Sequence, residues 1–159
     1  FEKTLLAKQK ALKIGLIKWL RKSSIRSILS IPFIYAMIIP LSLLHFTIEV
    51  YQAICFPLYK IPKVKRRDYF IADREQLPYL NIIEKFNCAY CTYGNAVIAY
   101  TREIIGRTEL YWCPIKHARK VIGTHKHYQQ FINFGEHEDY HVKAAKLRAA
   151  LSALDQKEP

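Results

Sequence analysis

Three cysteines and a histidine are the residues of this 159-residue chain whose types and spacing could do chemistry. Cys88 and Cys91 stand in NCAYC, and 21 residues further on Cys113 and His117 stand in CPIKH. Thiolate and imidazole are the donors that soft and borderline cations take. A C-x2-C knuckle and a C-x3-H knuckle together can fill a tetrahedral coordination sphere. Zn2+ is the expected ion, being redox-inert and usual in four-ligand Cys/His sites. Iron is the alternative, as a mononuclear centre or an iron–sulfur cluster with one histidine ligand, and would support electron transfer. Cys88 and Cys91 could also serve as a thiol–disulfide pair. A sphere closed by four protein ligands has no position for substrate, so a structural staple is the first expectation.

The other candidates are weaker. His137-Glu138-Asp139-Tyr140-His141 matches H-E-x-x-H, the helical signature in which two histidines hold zinc and the glutamate is general base. Asp139 puts a charge inside the motif, and few residues remain to supply a third ligand. The expected role is a polar first turn of the last helix, its acids facing the positive end of the helix dipole. His125 and His127 read as a polar turn. Glu84 and Glu103 lack the Glu-x-x-His partners of a di-iron site, and a salt bridge with Arg102, Arg107 or Lys85 is expected instead. There is no Gly-rich phosphate loop and no nucleophile elbow.

The metal ligands need elements to position them. Asp73 is expected to cap a helix over residues 75–86, with the first knuckle after it. A second helix over 95–105 should stop at Gly106 and fold back, bringing the knuckles together. Residues 119–134 read as partly helical, and 138–154 as a final amphipathic helix. Residues 68–159 are thus expected to form a small all-α domain stapled by metal.

Upstream the chain changes character. Residues 27–48 contain no Asp, Glu, Lys or Arg, and apolar character resumes after Glu49. That is long enough to cross a hydrocarbon core, which takes about 20 residues. Residues 28–59 as a whole are too long for one straight helix and too short for two crossings. Pro32 and Pro40 favour a bend, and both flanks are basic, which suits the cytoplasmic side for both. A re-entrant hairpin is therefore expected, with a single crossing as the alternative. His45 and Glu49 are expected to reach the interface, and Cys55 to be an apolar filler. Residues 1–27 read as an amphipathic interfacial helix, with Leu5, Leu12, Leu16, Trp19 and Leu20 on one face and lysines on the other.

Charge follows the same division. The net charge is +12. Almost all the excess lies in residues 1–27 and in the juxtamembrane stretch 60–67, which holds Lys60, Lys63, Lys65, Arg66 and Arg67. Residues 68–159 are nearly neutral. Basic flanks around an apolar stretch meet anionic headgroups. A nucleic-acid domain would carry its charge on a folded face, so nucleic acid is not an expected partner.

Residues 68–118 resemble a family of small bacterial proteins that share an NC-x-YC-x-Y-x-N block and a TE-x-YWCPIKHA block. Both blocks occur here in order, at residues 87–95 and 108–118. The resemblance implies that Cys88, Cys91, Cys113 and His117 belong to a shared pattern. Ala96 departs from it, where the family has glycine, and the His137/His141 pair is not part of it. It implies no activity.

The sequence thus points to a mostly α protein held at the cytoplasmic face of a bacterial inner membrane. Lipid contacts through residues 1–67 and a membrane complex or self-association are the expected partners. The expected function is a non-enzymatic, metal-binding subunit or assembly factor. An iron-containing redox protein is the alternative, and a zinc peptidase a remote one.

Overall fold

The computed structural model describes residues 25–154, except for the side chains of Ser27, Ile28 and Glu75. The expected interfacial helix therefore lies almost wholly outside the described residues. Four helices dominate: α1 (Ile25–Ala36), α2 (Ile38–Leu58), α3 (Ile82–Trp112) and α4 (Tyr140–Ala153). Three short 3-10 turns complete the list, and among the described residues there is no strand. The chain divides into two compact units, one formed by residues up to 43 with 67–97, the other by 44–66 with residues from 98 on.

The apolar segment is one long span, Leu29–Leu58, interrupted only at Met37. This corrects the expected hairpin. Pro40 explains the interruption: it has no N–H to give to the Ala36 carbonyl, and its ring crowds that carbonyl. The turn stays bonded on both sides, Met37 N–H to Ile34 O at 3.3 Å and Leu41 N–H to Met37 O at 3.2 Å. One residue so held does not reverse a chain. Pro32 is accommodated inside α1.

In the first unit, the Tyr35 hydroxyl donates to Asn87 Oδ1, and the Tyr90 hydroxyl to the Ile34 carbonyl. Tyr35 also packs edge-on against Tyr90, with centroids 5.3 Å apart. Helix α3 starts with a reciprocal cap. Glu84 N–H donates to Asn81 Oδ1, and Asn81 N–H to Glu84 Oε2, both at 2.9 Å. This capping box satisfies two donors that every helix start leaves open. Asp73 is not the cap; it precedes the 3-10 turn Arg74–Gln76 and makes no side-chain capping bond.

In the second unit, α2 buries one face, Ile48, Gln52 and Phe56, against Tyr100, Ile104 and Leu110 of α3 and Leu151 of α4 in a shared core. It ends in a Schellman motif. Lys60 takes a left-handed φ of 53°, its N–H meets Pro57 O, and Ile61 N–H meets Phe56 O at 2.9 Å. The accompanying apolar contact of this motif falls on buried Phe56 and Ile61. The next residues turn back onto the core. Gln52 accepts from Val64 N–H at 2.7 Å and donates to Tyr100 Oη at 2.7 Å. Arg148 of α4 donates to the Tyr111 carbonyl at 2.7 Å and lies over its ring. That satisfies one of the carbonyls a helix end leaves open.

Candidate functional site

Cys88 and Cys91 lie within α3, which continues through them without a turn. Three residues apart on a helix, they share one face. Cys88 is half-buried and Cys91 exposed. Cys113 follows the last helical residue, exposed, its N–H still bonded to Glu109 O at 2.8 Å. The chain beyond it is extended. Ile115 bridges to Ile132, with Lys116 N–H to Ile132 O at 2.7 Å and Ile132 N–H to Pro114 O at 2.8 Å. His117 is exposed; its N–H donates to Tyr128 Oη at 2.8 Å, and the two rings stack.

This arrangement corrects the expected helix–knuckle–helix–knuckle order. The fold-back needed a break between residues 91 and 113, and α3 has none. From Cys91 to its last residue the helix rises about 30 Å. Among the described residues no three His, Cys, Asp or Glu side chains are grouped to hold a metal ion. Cys88 and Cys91 belong to the first unit, Cys113 and His117 to the second. They stand as two pairs of donors.

The H-E-x-x-H match also fails geometrically. Helix α4 begins at Tyr140, and Asp139 just before it adopts a left-handed φ of 55°. His137 and His141 are thus not one helical turn apart. They line a shallow depression of about 380 Å3 with Glu136 and Tyr140, and Glu138 is not among its lining residues.

The most developed polar site is one that the motifs did not indicate. Glu103 is buried in the second unit. Its Oε1 accepts from Arg107 Nε at 2.9 Å and lies 3.0 Å from both His127 Nε2 and Lys126 Nζ. Arg107, also buried, donates a further bond to Pro62 O at 2.7 Å. Burial pushes the Glu103 carboxyl up, but the bonds from His127, Arg107 and Lys126 outweigh it and hold its pKa down at about 2. Beside this cluster is a cavity of about 270 Å3, lined by Lys63, Lys65, Arg107, Lys126, His127 and Gln130 among others. The i,i+4 spacing of Glu103 and Arg107 was legible as a salt bridge. His127 was not, because an irregular segment delivers it. A second such contact joins His125 Nε2 to Glu109 Oε2 at 2.9 Å.

Family models, curated proteins and solved structures were each compared with this chain, and none matches it.

Proposed function

We propose that this chain is a membrane-anchored accessory protein without catalytic activity of its own, serving as a subunit or assembly factor of a membrane complex. One observation carries the proposal: the most apolar 18-residue window of the 30-residue span Leu29–Leu58 is only 6% buried. The core helix of a soluble protein would be mostly covered. Here Leu43, Phe46, Val50, Ile54 and Leu58 are exposed. The inward face carries the polar groups, Gln52, Tyr51 and the His45–Glu49 pair 3.6 Å apart. Apolar outside and polar inside is the distribution a lipid surround favours. Basic residues 60–67 support a cytoplasmic side for the chain that follows the span, by the positive-inside tendency. A bacterial inner membrane agrees with the block resemblance over residues 68–118. The chain should remain in the pellet after alkaline carbonate extraction of membranes, and its quantitative release would overturn the anchor.

The donor pairs belong to the same proposal. Cys88/Cys91 and Cys113/His117 each supply two ligands, and a second chain or a partner subunit completes the sphere around Zn2+, with iron as the alternative ion. Elemental analysis of the purified assembly tests this. Metal should be present in the assembly and reduced at least tenfold by Cys113→Ser with Cys91→Ser. A metal-free assembly sinks this part and leaves the anchor standing. A visible absorption band that bleaches with dithionite would identify iron and a redox role.

A further inference from the structure

We propose that the cavity bounded by Lys63, Lys65, Arg107, Lys126 and His127 binds a phosphate group. Four cations line it, and the carboxylate that orders them is absent from its lining. Glu103 lies behind the wall and holds Arg107 Nε, Lys126 Nζ and His127 Nε2 on a single oxygen. Arg107 is further fixed by its bond to Pro62 O. One carboxylate against four cations leaves a large positive excess, and among the described residues neither Lys63 nor Lys65 is paired with an acid. Lys63 and Lys65 alternate with buried Pro62 and Val64, and both line the cavity. That segment is held in place through Val64 by Gln52.

The result is a preordered basic pocket. An anchored guanidinium offers planar paired donors, and lysines offer point charges, which together suit a phosphate better than a single carboxylate. The volume accommodates a phosphate with a small substituent and is below the range usual for larger ligands. Lys63 and Lys65 follow the end of the apolar span at Leu58 by five and seven residues. A lipid headgroup phosphate is the source this placement favours, and that choice of source rests on the membrane-anchor proposal. The phosphate chemistry rests on the pocket alone.

The test uses the full chain in neutral phosphatidylcholine nanodiscs, in phosphate-free buffer, with two arms. In one, phosphatidic acid replaces a tenth of the lipid; in the other, inorganic phosphate is titrated by calorimetry. Saturable binding is expected in the phosphatidic acid arm. It should weaken at least tenfold in the doubly substituted Lys63→Gln, Lys65→Gln chain. A charge-matched control, Lys116→Gln with Lys120→Gln, should bind as the parent does. Binding of inorganic phosphate alone would keep the pocket and assign it to a soluble phosphate compound. No binding in either arm, or equal losses in the pocket and control variants, would overturn the proposal. Failure to enter nanodiscs would count against the anchor alone, and the phosphate arm in detergent micelles still decides the pocket.

Discussion

Glu103 shows how one buried carboxylate organises a region. Removing it in Glu103→Ala strands Arg107 in the core without its counter-ion, which costs about 3–5 kcal/mol for buried pairs. Chemical denaturation should register that loss. The pH dependence has a definite sign. The folded pKa, about 2, lies below the ordinary 4.5. The stabilisation is therefore complete above the ordinary value and disappears as pH falls from about 5 to 2. Its size is on the order of 2–3 kcal/mol. Glu103→Gln should flatten this part of the stability–pH curve, and an unchanged acid limb would show that other carboxylates govern it. Gly106 carries a second prediction. It was expected to stop a helix and instead lies within α3, where a Cβ would come within 3.0 Å of the His125 ring. That ring is held by Glu109 and packs on Phe131. Alanine would gain up to about 1 kcal/mol in helix propensity but displace the ring. A net loss of about 1 kcal/mol is expected in thermal unfolding.

Elements were legible where local chemistry decides them. The apolar run of α2, the start of α4 near Gly135, and the mostly helical character all follow from periodicity and composition. The capping box Asn81-x-x-Glu84 was present in the sequence as an N-x-x-E signature, and Asn81→Ala should cost about 1 kcal/mol by loss of the cap. What misled was punctuation. Gly106 looks like a stop, yet it makes room for a neighbour, His125, as Gly94 does for Leu41. A glycine's tertiary reason cannot be read from its flanking residues. The two cysteine blocks likewise suggested turns because their spacing suits a knuckle, whereas an i,i+3 pair suits a helix equally well. At Lys60 the reverse holds: the position demands a left-handed residue that the sequence does not advertise. Lys60→Gly should relieve that strain and be neutral or stabilising by up to about 1 kcal/mol.

For the chain as a whole, charge and hydropathy were the reliable guides, because they depend on sums rather than on geometry. They located the apolar span and separated its basic flanks from a nearly neutral remainder. They could not specify whether the span bends back, which turns on a few hydrogen bonds around Met37. A single span makes a distinct prediction about its faces. Leu43→Arg, on the uncovered side and midway along the span, should impair membrane insertion, since a cation at the centre of an inserting helix costs about 2.5–3.5 kcal/mol. An insertion assay with a glycosylation reporter would measure it. The equivalent change at Lys63 to another cation, Lys63→Arg, should leave insertion unaltered.

The juxtamembrane stretch 60–67 is bonded into its own unit as far as Val64. The Schellman turn at Lys60, the Val64–Gln52 bond and the Arg107–Pro62 bond bind this stretch to the helices it joins. A tether would let the rest of the second unit tumble freely of residues 44–58 of α2; a strut makes the two turn together. Spin labels on α2 near Ile54 and on α4 near Ala149 should then report the same slow rotational motion. On the membrane-anchor proposal, a tilt of residues 44–58 forced by a thicker or thinner bilayer would turn α4 with them.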